Sequence, residues 1–208
     1  MPETPRRGSA KFNGITAEPL YHPPPLAGLL RGGPSGDYVL SVGRLEANKR
    51  VDLIIRALAH TDRAVRLLVV GEGPLRDRLA ETATAAGVAD RVTFTGGIDD
   101  EQLTRLYAGA LAVVFPPFDE DYGYVTLEAF LAHKPVVTAN DAGGPLEFVD
   151  DGVNGLVAEP TPESIGAAIA QLAADRARAR SMGDAGYDRA RAITWDGVVA
   201  RLMADGQS

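Results

Sequence analysis

From Asp37 onward, short apolar runs alternate with longer stretches of helical spacing, and this alternation restricts the fold more than any other feature. Six runs have the length of a strand: 38–42, 65–70, 92–95, 112–115, 136–139 and 156–158. Most are apolar on both faces, which is typical of parallel strands buried between two helix layers. The intervening segments repeat apolar residues every three to four positions. The pattern predicts an α/β fold with a doubly wound, parallel, six-stranded Rossmann-like sheet.

The two ends of the chain differ from this pattern. Residues 1–36 hold seven of the fourteen prolines, which predicts a linker or interdomain crossover with at most a short strand near residues 11–15. Residues 37–208 are predicted to form one Rossmann-like domain with C-terminal helices. Within it, residues 163–192 predict two helices with a break around 181–186, and Thr194 or Asp196 is expected to begin a last helix.

Composition excludes several classes of protein. The net charge of −7 argues against a nucleic-acid partner, and the absence of cysteine fits a reducing compartment. No apolar run approaches the roughly 20 residues of a membrane span, and no signal peptide is recognised. The expected location is the cytoplasm, with peripheral contact at the inner membrane face left open.

The loop after the first predicted strand carries two cations close to a helix start. Gly43 lets the backbone approach a ligand closely, and Arg44 and Lys49 follow it. Side-chain cations beside the exposed amides of a helix N-terminus suit a diphosphate. The alternative is a surface turn with two solvated cations.

The loop after the fourth predicted strand carries carboxylates. Glu120 falls in the loop, whereas Glu128 falls about one turn into the next helix among apolar neighbours. A carboxylate is costly to bury without partners, and two ribose hydroxyls are suitable ones. Alternatively, Glu128 lies on the wet face of an amphipathic helix. The acidic turn 119–121 could suggest a divalent metal site, but a solvated turn is the favoured interpretation.

Two glycine-rich loops complete the set of post-strand loops. Residues 71–74 follow the second strand and resemble a phosphate loop only weakly, so a tight turn is the better interpretation by itself. Gly143 and Gly144 follow the fifth strand and can present amides to an anion. Because parallel strands end at the same edge of a sheet, the four loops are expected to converge on one crevice.

The order of motifs resembles the C-terminal, donor-binding domain of retaining family 4 glycosyltransferases (group 1), which is one half of a GT-B architecture. The resemblance covers about residues 37–202 and rests on these segments: 41–45 with Lys49, 69–74, 92–96, 120–123, 127–129, 134–137, 143–147 and 151–157. The family often has serine where Pro117 stands, and Gly-Phe-Gly where 121–123 stand. Proline has no amide proton to donate at that point.

The resemblance implies roles for the loop residues. Arg44, Lys49 and Glu120 would be catalytic: the two cations would hold the donor diphosphate and stabilise the leaving group, and Glu120 would touch the transferred sugar. Glu128 would bind the ribose hydroxyls. The remaining nucleotide-sugar-binding positions would be Gly43, Gly71, Gly73, Gly97, Ile98, Tyr122, Gly123, Tyr124 and Val125. No metal and no cofactor would be needed.

The implied function is transfer of a hexosyl group from UDP- or GDP-sugar to a sugar, lipid or polysaccharide acceptor, as in cell-envelope or polysaccharide biosynthesis. Family members carry a second, acceptor-binding domain, which residues 1–36 cannot form. We therefore expect that domain as a partner, in cis or as a separate chain, and little transfer without it. The alternatives are a nucleotide-sugar epimerase and a non-catalytic nucleotide-sugar-binding or assembly module.

Overall fold

The structure, a computed structural model, describes residues 19–205. The chain divides into two compact units, Pro24–Arg191 and a smaller one of Met1–Pro23 with Ala192–Ser208. In the smaller unit, the described residues are 19–23 and 192–205. The strand predicted near residues 11–15 lies outside the described residues.

The larger unit contains one parallel sheet of six strands. They are β1 (Tyr38–Val42), β2 (Arg66–Val70), β3 (Val92–Gly96), β4 (Ala112–Val114), β5 (Val136–Ala139) and β6 (Gly155–Ala158). Their order across the sheet is β3-β2-β1-β4-β5-β6, which confirms the predicted doubly wound fold. The order reverses between β1 and β4, and a crevice forms at such a point beyond the carboxyl ends of the strands.

Residues 19–205 include seven α-helices, six of them in the larger unit. They are α1 (Val51–Ala57), α2 (Arg76–Ala85), α3 (Asp100–Gly109), α4 (Tyr124–Leu131), α5 (Pro162–Ala174), α6 (Arg176–Ala190) and α7 (Trp195–Asp205). Helix α1 packs against α2 and α5, and α4 packs against α6. Helix α7 belongs to the smaller unit. Of the helices between residues 19 and 205, none combines the length and apolarity that crossing a membrane would require.

The core explains why the strands are apolar on both faces. All residues of β4 and β5 are buried, and so are Val39 and Leu40 of β1. Burying an aliphatic side chain of this size stabilises the fold by about 1.5–3 kcal/mol. The central strands therefore hold the loops at their carboxyl ends on a rigid base.

The predicted break within the C-terminal helices is wrong in position. It lies at Asp175, whose side chain accepts a hydrogen bond from Arg178 N at 2.9 Å and so caps α6. Residues 181–186 lie inside α6. A Cβ on Gly183 would stand 2.1 Å from His133 O, and one on Gly186 would stand 2.3 Å from the Phe130 ring. These glycines therefore allow close helix packing and do not end the helix.

Residues 24–36, part of the predicted linker, lie in the larger unit. Gly36 N donates to Gly109 O at 2.7 Å, and Arg176 donates to Ser35 O at 3.2 Å. The buried Lys134 donates to Gly33 O at 2.8 Å. Hydrogen bonds at three backbone positions, Gly33, Ser35 and Gly36, hold this segment in place within the larger unit, and its role between domains stays a prediction.

Candidate functional site

Lys49 and Glu120, named from two separate loops, are in direct contact. Lys49 ends the 3-10 helix Ala47–Lys49 after β1, and Glu120 lies in the loop after β4. Lys49 Nζ donates to Glu120 Oε2, with the two side chains 18% and 21% exposed. Lys49 Nζ also lies 5.8 Å from the centre of the Phe115 ring. This ion pair stands at the carboxyl ends of the two strands where the sheet order reverses.

Backbone hydrogen bonds fasten the surrounding loops to each other. Phe118 N donates to Asn48 O at 2.7 Å, which joins the loops after β4 and β1. Glu120 N donates to Ala142 O at 2.9 Å, and Gly144 N donates to Glu120 O at 2.6 Å, which joins the loops after β4 and β5. Such closure holds the backbone on both sides of the ion pair in place.

Gly71 and Gly73 pack the second loop against the first. Gly71 has a φ of +124°, and a Cβ there would stand 2.0 Å from Gly43 O; a Cβ on Gly73 would stand 2.6 Å from Leu45 N. Leu45 N donates to Glu72 O at 2.9 Å. Only glycine fits between these backbones, so this loop supports the one that carries Arg44 and Lys49.

The predicted nucleotide-sugar-binding positions Gly97 and Ile98 follow β3. Gly97 N donates to Glu72 Oε1 at 3.3 Å, and this bond joins the loop after β3 to the loop after β2. Together with the bonds described above, it links the five loops after β3, β2, β1, β4 and β5 in one series along the sheet edge.

Glu128 is buried, and the alternative that placed it on a wet helix face is wrong. Its residue is 9% exposed, and every position of α4 from Thr126 to Leu131 is buried. Tyr107 Oη of α3 donates to Glu128 Oε2 at 2.7 Å. Burial raises the pKa of Glu128; the Tyr107 hydrogen bond opposes that rise, and the charge of Asp100 adds to it. Among the described residues, no hydrogen bond is found to Oε1.

The segment 122–125 turns the chain into α4. Gly123 has a φ of +76°, and a Cβ there would stand 2.8 Å from Pro145 Cγ. The rings of Tyr122 and Tyr124 lie 4.9 Å apart, and Tyr122 meets Phe148 edge-on at 5.5 Å. Val125 is in the first turn of α4, where helix amides lack intrahelical partners and favour an anion.

Arg44 stands apart from the other named cation. Its side chain is 75% exposed and pairs with Glu46 at 2.8 Å. Within residues 19–205, no hydrogen bond or ion pair links Arg44 to Lys49 or Glu120. An exposed, singly paired arginine of this kind is free to reorient toward a ligand.

Sequence reasoning missed the partners of these residues. Tyr107 belongs to the apolar spacing of its helix, and nothing in the sequence pattern indicates its hydrogen bond to Glu128. Arg50 and Asp141 form a bidentate ion pair between the loops after β1 and β5, with N–O distances of 2.7 and 2.9 Å.

A separate cleft of about 320 Å³ lies between α1 and α2. Its lining contains Arg50 but none of the predicted site residues.

The geometry can be set beside known proteins. Residues 34–189 match the family described as Glycosyl transferases group 1. The chain belongs to this family. This member of the group 1 family is 37% identical over 178 residues to a D-inositol 3-phosphate glycosyltransferase of Segniliparus rotundus. The alignment covers 82% of this chain and 40% of that protein. The chain is 36% identical to a GDP-mannose-dependent alpha-(1-6)-phosphatidylinositol monomannoside mannosyltransferase of Mycobacterium tuberculosis, covering 79% and 46%.

The fold of this group 1 glycosyl transferase also matches solved GT-B structures. The HepE protein of Anabaena, solved with UDP and glucose, superposes with a TM-score of 0.76 at 26% identity, covering 83% of this chain and 48% of that one. The chain thus spans less than half the length of each of these three proteins. Their matched halves correspond to the domain that contains the Lys49–Glu120 pair.

Proposed function

We propose that this group 1 glycosyl transferase domain binds a UDP- or GDP-sugar and forms the donor half of a retaining, family 4 enzyme. The enzyme would transfer a hexosyl group to a sugar, lipid or polysaccharide acceptor. The supporting observation is the Lys49–Glu120 ion pair at the strand-order reversal, between loops that are fastened to one another. Convergence at this point is where open α/β sheets bind ligands.

In the proposed chemistry, Lys49 and Glu120 exchange their mutual ion pair for contacts with the diphosphate and the sugar. Glycosyl transfer leaves negative charge on the departing diphosphate, and preorganised cations at that position favour the transition state. Lys49 is neutralised by Glu120 in the free protein. When a diphosphate arrives, Lys49 turns to the phosphate oxygens, and Glu120 is released to accept from hydroxyls of the sugar. Arg44, exposed at the same loop, adds a second cation.

Glu128 is proposed to hold the ribose. Tyr107 occupies Oε2, and Oε1 can accept from ribose hydroxyls, which would satisfy a buried carboxylate. The turn 122–125 at the start of α4 would meet the phosphates and the sugar. The base would meet the main chain at Gly97 and Ile98, while Gly43, Gly71 and Gly73 would shape the approach to the donor.

The names of the relatives support both bases and a lipid acceptor. One relative is named for GDP-mannose and a phosphatidylinositol mannoside, and HepE was solved with UDP. Because each relative is more than twice as long as the matched region, we propose that a second half, in cis or as a separate chain, supplies the acceptor site. We place the reaction in cell-envelope or polysaccharide synthesis, in the cytoplasm or at the inner membrane face.

Titration calorimetry with UDP, GDP and their hexose conjugates tests the proposal. We expect binding by the protein, a loss of at least about tenfold in affinity for Lys49→Ala with Arg44→Ala, and a comparable loss for Glu128→Gln. Arg56→Ala is the control, because Arg56 pairs with Asp52 within α1, at 3.5 Å. Unchanged affinity in the double variant would refute the diphosphate assignment.

Two further measurements separate the remaining alternatives. We propose that no metal is required, because two side-chain cations already serve the diphosphate; equal affinities in EDTA and in Mg²⁺ would agree with this. Conversion of a nucleotide sugar without any acceptor would favour an epimerase. Binding that never supports turnover, even with an acceptor half supplied, would favour a non-catalytic module.

A further inference from the structure

Arg50 follows Lys49 directly and connects its 3-10 helix to α1. Its backbone has a φ of +51°, in the left-handed region that residues other than glycine rarely adopt. Arg50 N donates to Ala47 O at 3.2 Å. A strained residue beside a functional lysine persists only when surrounding contacts determine its position. The contacts of the Arg50 side chain are therefore informative.

The Arg50 guanidinium binds Asp141 through both of its terminal nitrogens. The two distances are 2.7 and 2.9 Å, and the side chains are 23% and 32% exposed. The guanidinium also lies 4.9 Å from the centre of the Phe118 ring. A bidentate arginine–carboxylate pair fixes orientation as well as distance, and partial burial reduces its screening by salt.

The backbones of Arg50 and Asp141 both lie next to residues of the Lys49–Glu120 pair, in sequence or through a hydrogen bond. Asp119 N donates to Asp141 O at 3.1 Å, next to the bond from Glu120 N to Ala142 O. Arg50 is adjacent in sequence to Lys49. The Arg50–Asp141 pair thus links the loops after β1 and β5, both of which are also joined by backbone hydrogen bonds to the loop after β4 that carries Glu120.

We propose that Arg50 and Asp141 are positioning residues that hold the Lys49 backbone beside the loop of Glu120, so that only the Lys49 side chain has to turn for it to meet a donor diphosphate. Neither touches the donor. The inference rests on the proposed function and deepens it. Electrostatics alone makes the opposite prediction for Asp141: removing a negative charge near an anion site should tighten anion binding. The sign of the Asp141 effect therefore distinguishes positioning from a simple charge effect.

The test measures UDP and GDP affinity of the whole protein by calorimetry, with UMP and GMP as probes that lack the second phosphate. For Asp141→Asn we expect about a tenfold loss of diphosphate affinity, the equivalent of one charge-assisted hydrogen bond. Monophosphate affinity should change less than about twofold, because Lys49 acts on the diphosphate. Arg50→Lys keeps the charge, loses the bidentate geometry and should weaken diphosphate binding in the same way.

The controls exclude a general loss of structure. Arg56→Ala removes an arginine that lines the same cleft as Arg50 and should leave all four affinities unchanged. In a Lys49→Ala background, Asp141→Asn should have no further effect on diphosphate affinity, whereas a merely structural role would add its full cost again. If Asp141→Asn does not fold, the same affinities are compared for Arg50→Lys, alone and in the Lys49→Ala background.

Three results would overturn the inference: tighter or unchanged diphosphate binding by Asp141→Asn, an equal loss for monophosphates, or full additivity with Lys49→Ala. Each of these presupposes that the unaltered protein binds UDP or GDP, so they reject the positioning pair alone. Failure of the unaltered protein to bind either nucleotide would reject the proposed function, and the positioning role with it.

Discussion

Replacing Tyr107 with phenylalanine would isolate the contribution of a single buried hydroxyl to Glu128. Tyr107 is 0% exposed, and its Oη donates to Glu128 Oε2 at 2.7 Å. Phenylalanine keeps the ring, so no large cavity forms. The carboxylate loses a buried donor, and a hydrogen bond to a charged group contributes about 1.5–3 kcal/mol. We expect the free energy of unfolding at pH 7 to fall by about that amount.

The loss should depend on pH in a defined direction. Burial raises the pKa of Glu128 above its usual value, and the Tyr107 hydrogen bond opposes that rise. The folded protein therefore binds a proton that the unfolded chain releases, and stability falls as pH rises from about 4.5 through the folded pKa. Without the hydroxyl the pKa rises further, so the variant loses more across this window. The difference from the unaltered protein should be small near pH 4 and largest near pH 7.

Urea unfolding at pH 4 and pH 7 measures both quantities, with Tyr38→Phe as the matched control. Tyr38 Oη donates to the neutral Leu106 O at 2.7 Å, so its loss should cost about 1 kcal/mol at either pH. Equal losses for Tyr107→Phe at the two pH values, or a profile that coincides with the control, would refute the view that Glu128 is a carboxylate stabilised by this hydroxyl.

Two further predictions concern packing and a buried charge. Gly186→Ala places a Cβ 2.3 Å from the Phe130 ring and should destabilise the protein by about 1–3 kcal/mol in thermal or urea unfolding, whereas Gly28→Ala, with no heavy atom within 4 Å, should be nearly neutral. Burial lowers the pKa of Lys134 to about 8, with Arg180 adding to that shift and Asp184 opposing it. Between pH 8 and 10.5 the unfolded chain binds more protons, so the unaltered protein should gain at most about 3 kcal/mol of stability relative to Lys134→Met as pH rises. A constant difference over this range would contradict that shift.

The strands were predictable because their burial leaves a local signature. Predicted runs at 38–42 and 136–139 coincide with β1 and β5, and the other four differ from the observed strands by one residue at one end. A strand covered by helices on both faces must be apolar at successive positions, so it can be recognised as a run of adjacent apolar residues in the sequence. The helix break was placed wrongly because glycine has two uses. At Gly183 and Gly186 it serves close packing, which involves residues about 50 positions away.

The convergence of the loops followed from strand direction, but the contacts within the site did not. Lys49 and Glu120 could be assigned to one crevice because both follow strands of one parallel sheet. No local pattern pairs Tyr107 with Glu128 or Arg50 with Asp141. A tyrosine in an apolar helical repeat and an arginine at a helix start have ordinary alternative uses.

The amino-acid order alone determined the parallel α/β architecture and the edge of the sheet that carries the polar loops, because periodicity and strand polarity are properties of neighbouring residues. Only the tertiary structure decided that Glu128 is buried, that Lys49 is held by Glu120, and that Arg50 is locked to Asp141. The physical reason is that burial and charge pairing depend on which segments meet in space, and those contacts exist only after the chain has folded.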